Sequence, residues 1–206
     1  LVVLSGDVPL LAANTIEKLV RTCVESKSAM TVLTAVLPDA SGYGRIIRDA
    51  ETGEVLRIIE HKDATDQERA IKEINTGIYC FALDNLFTRL ALIDNNNAQG
   101  EYYLTDILAL LKAAGQRVTA LAVENPEEVG GVNSRVQLAD ATALMQQRIN
   151  RAHMIAGVTI TSPQTTWISP RVNIEADVTV LPNSHILGTS YIASDVVIGP
   201  DTRIVN

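Results

Sequence analysis

The chain has 206 residues, with 17 Lys and Arg against 24 Asp and Glu for a net charge of -7, and 47% of its residues are hydrophobic. That balance describes a globular protein able to bury a core in one large domain or two small ones, and it argues against disorder. It also argues against nucleic acid as a partner, since no run of Lys and Arg offers the phosphate contacts such binding needs, whereas a divalent cation or a small molecule remains open. The longest apolar runs, residues 1–4 and 120–123, fall far short of the ~20 residues that cross a bilayer, and no signal-peptide pattern opens the chain, so a cytoplasmic protein without membrane contact is expected.

In chain order, residues 1–4 read as a strand and residues 15–24 as a helix, with Asn14 as N-cap, Glu17 closing a capping-box-like pair, and Ile16, Leu19 and Val20 on one face. Residues 30–36 read as a second strand. Residues 55–60 and 74–82 carry the Ile, Val, Tyr and Phe bias of strands, with a polar loop between them. A helix over 105–114 ends at Gly115, placed as a C-cap glycine, before a strand at 118–123 and a long helix over 134–152. This alternation predicts crossover units on a largely parallel sheet. Cys23 and Cys80 have neither the number nor the spacing of a disulfide framework or metal cluster and read as small core residues.

From Ile168 the pattern changes. Aliphatic residues recur at every sixth position: Ile168, Ile174, Val180, Ile186, Ile192, Ile198 and Ile204. Four residues after each of the first six stands Val172, Val178, Ser184, Ser190, Val196 or Thr202, all small or β-branched. A six-residue period with an aliphatic anchor and a small inward position predicts a hexapeptide β-helix, with Trp167 as a hydrophobic lid at its head. The segment holds a little over two turns of three hexads each. Because such solenoids want roughly three or more repeats, and because the chain opens on Leu1 inside a strand-like run, both ends read as cuts.

Gly6-Asp7 closes the first strand, and ligands of open α/β sheets bind at carboxyl ends of strands. A carboxylate there suits Mg²⁺, which takes one or two protein oxygens and keeps phosphate and water in its other positions; alternatively, Asp7 caps the turn before Pro9. In Ser41-Gly42-Tyr43-Gly44-Arg45 two glycines allow close backbone approach to a ligand, or else form a hairpin turn. Glu60-His61-Lys62-Asp63 fits either a solvated loop or a site. Asn75 lies inside an apolar strand and is either a satisfied core amide or a sugar-binding group. The amides, glycine and paired tyrosines from Asn95 to Tyr103 suit a loop that bonds and stacks on a polar ligand. Asn133 follows Gly130-Gly131-Val132, near a helix N-terminus, where anions are favoured, or is a plain N-cap. His153 and His185 stand apart from any carboxylate or thiol pattern, and no Ser-His-Asp or Cys-His arrangement is present.

Taken in order, Gly6-Asp7-Val8-Pro9-Leu10, Gly42-Tyr43-Gly44-Arg45-Ile46, Glu60-His61-Lys62-Asp63-Ala64-Thr65, Glu73-Ile74-Asn75-Thr76-Gly77, the stretch from Asn95 to Asp106, and Gly131-Val132-Asn133-Ser134-Arg135 resemble one family: the bacterial bifunctional N-acetylglucosamine-1-phosphate uridyltransferase / glucosamine-1-phosphate acetyltransferase. The Glu60 and Asn95 stretches are specific to it, whereas Gly6-Asp7 is shared by many sugar nucleotidyltransferases.

The resemblance implies an α/β fold in which a partial Rossmann-like nucleotidyltransferase sheet (1–134) is followed by a linker helix (135–154) and the start of a left-handed parallel β-helix (155–206). It implies Mg²⁺-dependent uridylyl transfer from UTP to N-acetylglucosamine 1-phosphate, giving UDP-N-acetylglucosamine and pyrophosphate. By similarity Asp7 and Asn133 hold the Mg²⁺, Gly6 and Asp7 border the substrate, Gly44, Glu60 and Asn75 bind the sugar nucleotide, and Tyr103 and Thr105 line the sugar pocket. Acetyl-CoA would bind only the full-length, homotrimeric protein. The family's nucleotide loop and its acetyl-transfer residues lie outside these 206 residues, so little or no uridyltransferase turnover is expected from this chain alone. Two other readings stand beside this one: a different sugar-1-phosphate nucleotidyltransferase, and a non-catalytic trimerising or sugar-nucleotide-binding module.

Overall fold

In the computed structural model, which describes residues 1–84 and 86–206, the chain divides into two compact units, Leu1–Gly131 and Val132–Asn206. The first unit opens with a short strand, β1 (Val2–Val3), and a helix, α1 (Ala13–Glu25). The helix starts earlier than expected: Ala12 is the N-cap, so Asn14 does not cap it and Glu17 closes no capping box. A carboxylate distant in sequence takes over. Glu128 accepts from the Ala12 N–H at 3.3 Å and from the Thr15 hydroxyl at 2.6 Å, placing negative charge at the positive end of the helix.

The strands β2 (Met30–Val36), β3 (Arg45–Arg48), β4 (Val55–Ile59), β5 (Glu73–Phe81) and β6 (Val118–Ala122) lie in the order β4-β3-β5-β2-β6, with β1 also paired to β5. The sheet is mixed rather than largely parallel. Among the described pairs only β2–β6 is parallel. The reason lies in two connections. The short turn between β3 and β4 can join only an antiparallel pair. β5 is inserted between β1 and β2, the two strands that α1 connects: Cys80 pairs with Val2 on one side and Thr31 on the other, antiparallel to both. Both faces of this sheet are buried, so Met30 and Val32 pack into one cluster with Ile46, Tyr79, Phe81, Ile107, Leu108 and Leu111, while Leu33 and Ala35 pack into another with Leu19, Cys23, Ile74, Ile78 and Cys80.

The stretch between β4 and β5 is not all loop. It holds α2 (Asp66–Arg69), which carries a complete capping box: the Glu68 N–H donates to the Thr65 hydroxyl, and the Thr65 N–H donates to the Glu68 carboxylate at 2.8 Å. α3 (Leu86–Leu90) follows β5, and a 3-10 turn (Leu104–Asp106) leads into α4 (Ile107–Ala113), which Gly115 ends with φ +71°.

The second unit begins with α5 (Arg135–Ile155), capped by Ser134, whose hydroxyl accepts from the Gln137 N–H at 3.2 Å. Eight short strands follow: β7 (Thr159–Ile160), β8 (Trp167–Ile168), β9 (Asn173–Ile174), β10 (Thr179–Val180), β11 (His185–Leu187), β12 (Tyr191–Ile192), β13 (Val197–Ile198) and β14 (Arg203–Val205). They form three small parallel sheets whose partners mostly stand three hexads apart, as in Trp167↔His185, Asn173↔Tyr191 and Thr179↔Val197. The six-residue anchors from Ile168 to Ile198 share one buried cluster. Ser184, also buried, donates to the carbonyls of Leu181 and Gly199, so its hydroxyl is satisfied inside. Asp177, Asn183, Asp195 and Asp201 turn the corners with φ between +56° and +63°, a conformation Asn and Asp tolerate better than most residues. Two expectations shift here. Val196 is 38% exposed, and Trp167 is a ladder residue opposite His185, leaving the interior to Ile168.

Asn150 of α5 is fully buried, donates to the carbonyls of Pro163 at 2.8 Å and Thr166 at 2.9 Å, and accepts from Gln146 at 2.9 Å. Asn150→Ala strands two carbonyls, at about 1–3 kcal/mol each. Urea unfolding should show the second unit melting at clearly lower denaturant. Among the described residues no helix is long and apolar enough to cross a membrane.

Candidate functional site

The antiparallel pairing of β3 with β4 and β5 draws several of the expected residues together. Arg45 is opposite Ile59 in β4 and Ile74 in β5, so Gly44, Glu60 and Asn75 stand at one edge of these three strands. The Asn75 N–H donates to the Gly44 carbonyl at 2.9 Å. A Cβ on Gly44 would come 3.4 Å from both Glu60 carboxylate oxygens, so the missing side chain keeps the approach to that carboxylate open. Behind this corner the Arg45 guanidinium is buried and donates to the carbonyls of Tyr43 and Arg69, which pins the glycine segment to the end of α2.

Glu60 accepts from the Thr105 hydroxyl at 3.1 Å, which adds the start of the 3-10 turn to the group. Burial, and secondarily the Asp63 and Asp106 carboxylates, push Glu60 above the usual glutamate range against the opposing pull of that hydrogen bond. Asp106 is raised in the same way by burial and by Asp94 and Asp63. A carboxyl with a raised folded pKa contributes stability that is complete below its unfolded value and is lost as pH rises through the folded one. Glu60→Gln should therefore raise the melting temperature at pH 7, with the gain gone below the reference value of 4.5, as thermal unfolding at both pH values would show.

The two stretches most specific to the resemblance also meet. The Ala98 N–H donates to the Asp63 carboxylate at 2.9 Å, Lys62 donates to the Gln99 side-chain carbonyl, and the Gln99 amide donates to the Tyr103 hydroxyl at 2.7 Å. Tyr103 is thus tied through Gln99 to Lys62, and it stands two residues before Thr105 in sequence.

Gly6 and Asp7 arrive from β1. The Ser5 hydroxyl donates to the Thr76 carbonyl at 3.4 Å, next to Gly77, whose φ is +75°. Both Gly6 and Asp7 are exposed, and among the described residues the Asp7 carboxylate accepts no hydrogen bond from the turn at Pro9 or elsewhere. Asn133 belongs to the second unit, where it is exposed and its N–H donates to Gln137 at 2.8 Å; the N-cap role considered for it falls to Ser134. Among the described residues no three His, Cys, Asp or Glu side chains form a cluster able to hold a metal.

Sequence reasoning missed Tyr79. Its hydroxyl accepts from the Asn75 side-chain amide at 2.8 Å, and burial, with a smaller contribution from Glu60, pushes the phenol up to about 12. The available signal was Gly77, since a glycine inside a strand often marks a bulge.

The nucleotidyl transferase family model matches residues 1–150, the segment that holds the sheet and the Gly44–Glu60–Asn75–Thr105 group. The chain belongs to this family. Curated proteins similar to this chain include the Bifunctional protein GlmU of Brevibacillus brevis, 53% identical over 98% of this chain and 44% of that protein. The Bifunctional protein GlmU of a Geobacillus species is 48% identical over 98% of the chain and 44% of its own length, and that of Streptomyces coelicolor 44% identical over the whole chain and 42% of its own. This nucleotidyl transferase chain therefore spans less than half the length of these relatives.

Proposed function

We propose that the first unit serves uridylyl transfer between UTP and N-acetylglucosamine 1-phosphate, with UDP-N-acetylglucosamine as product and pyrophosphate as leaving group. The observation that carries this reading is the convergence of Gly44, Glu60 and Asn75, which the family resemblance assigns to the sugar nucleotide, with Thr105, which it assigns to the sugar pocket. The sugar phosphate is its own nucleophile, so the protein's task is to hold it in line with the α-phosphorus. In this role Glu60 accepts hydrogen bonds from sugar hydroxyls, Asn75 and Thr105 supply neutral polar contacts, Tyr103 lines the pocket, and Gly44 and Gly6 let the ligand approach backbone. Asp7 is the proposed Mg²⁺ ligand of the first unit. Its exposed carboxylate is a hard donor of the kind Mg²⁺ takes, and the ion, when bound, would neutralise charge on the phosphates.

The second unit, by its 18-residue register, aliphatic anchors and Asn or Asp corners, is the start of a left-handed parallel β-helix in this reading. It fits a cytoplasmic, homotrimeric bifunctional enzyme in which acetyl-CoA is used by the full-length protein. Asp7→Ala supplies the test of the metal role: the affinity of the chain for UDP-N-acetylglucosamine should gain from Mg²⁺ in the unaltered protein and lose that gain in the variant. An equal Mg²⁺ response in both would count against Asp7.

A further inference from the structure

We propose that Tyr79 is a positioning residue for Asn75, holding its carboxamide in one orientation toward the sugar nucleotide; the ligand half of this inference rests on the function proposed above. Along a regular strand, residues four apart lie roughly 13 Å from one another at about 3.3 Å per residue, too far for a side-chain hydrogen bond. In β5 the pairing with β2 jumps from Val32↔Tyr79 to Thr34↔Asn75, so the strand takes four steps where its neighbour takes two. Gly77, at φ +75°, sits in the middle of that bulge and shortens the strand enough for the Asn75 amide to reach the Tyr79 hydroxyl at 2.8 Å.

The bonding directions leave a single arrangement. The Gly77 N–H can only donate, and it donates to the Asn75 side-chain oxygen at 3.1 Å. The amide nitrogen must therefore face Tyr79, and the phenol oxygen must accept. Asn75 keeps one N–H and one oxygen lone pair for a ligand, at fixed positions, while its backbone N–H is tied to Gly44. The phenol itself is buried in the apolar cluster with Phe81 and Met30, a setting in which its ring packs whether or not the hydroxyl is present. That separates the two roles of the residue: the ring serves the core, and the oxygen serves Asn75.

Tyr79→Phe removes the oxygen alone. In the 206-residue chain, the Asn75 side-chain NH₂ signals, assigned by their disappearance in Asn75→Ala, should be protected from exchange in the unaltered protein and should shift and lose protection in Tyr79→Phe without ligand. Calorimetry with UDP-N-acetylglucosamine should show binding weakened about five- to tenfold by Tyr79→Phe, the worth of one neutral hydrogen bond. In the Asn75→Ala background, the same change should have no further effect. Unchanged NH₂ signals in a folded Tyr79→Phe protein, or a loss of affinity that persists in full without Asn75, would overturn the proposal. Absence of ligand binding by the unaltered chain would instead overturn the proposed function, leaving the positioning claim to the NH₂ signals.

Discussion

Gly77→Val is expected to lower the melting temperature of the first unit and to abolish binding of the sugar nucleotide. At φ +75° a β-branched residue is strained, and its Cβ would sit 2.8 Å from the Ser5 hydroxyl. Together the strain and the contact are worth about 2–4 kcal/mol, or roughly 5–15 °C for a chain of this size. The larger consequence is functional, because relaxing the bulge would separate Asn75 from Tyr79 and move the Ser5 segment that leads into Gly6 and Asp7. Gly53→Ala is the control. Gly53 also has a positive φ, +71°, but it lies in the exposed turn between β3 and β4 with nothing within 4 Å, so about 1 kcal/mol and no change in binding are expected. Thermal unfolding and calorimetry on the two variants make the comparison.

Ile186→Ala should act on the other unit. Ile186 is fully buried in β11, which pairs with β8 on one side and β14 on the other, so the cavity opens at the centre of the stacked anchors. Large-to-small changes of this kind cost about 2–5 kcal/mol. Differential scanning calorimetry should show the transition of the second unit moving down while sugar-nucleotide affinity stays as it was. Loss of affinity would mean that the first unit does not hold the binding group by itself.

The two units differed in how openly their sequences declare them. In the second, one residue in six is an aliphatic anchor, and the parallel registers repeat that spacing directly, since every hexad makes the same local contacts with the hexad three steps on. In the first, strand positions were legible from the bias toward Ile, Val, Tyr and Phe, but direction was not. Whether β5 lies between β1 and β2 depends on pairings such as Thr31↔Cys80 and Val2↔Cys80, far apart in sequence, and no local pattern encodes them. The cap of α1 departs from the local expectation for the same reason: Asn14 satisfies the local rule, but Glu128 does the capping from more than a hundred residues away. At the candidate site, Asn75 is legible as an amide inside an apolar strand and Gly44 as one of two glycines around an aromatic, whereas Glu60 fits a solvated loop equally well and Thr105 is reached only through the family resemblance. Tyr79 carried no such mark, because an aromatic in a strand reads as core, and its hydroxyl gains a role only through the bulge at Gly77.

The central claim is that the Gly44–Glu60–Asn75–Thr105 corner binds a sugar nucleotide. Calorimetric titration of the 206-residue chain with UDP-N-acetylglucosamine in Mg²⁺, for the unaltered protein and for Asn75→Ala, addresses it most directly. Saturable binding to one site, weakened at least about tenfold in a variant that remains folded, is the predicted result. Equal affinity in the two folded proteins, or no binding by the unaltered one, would contradict it.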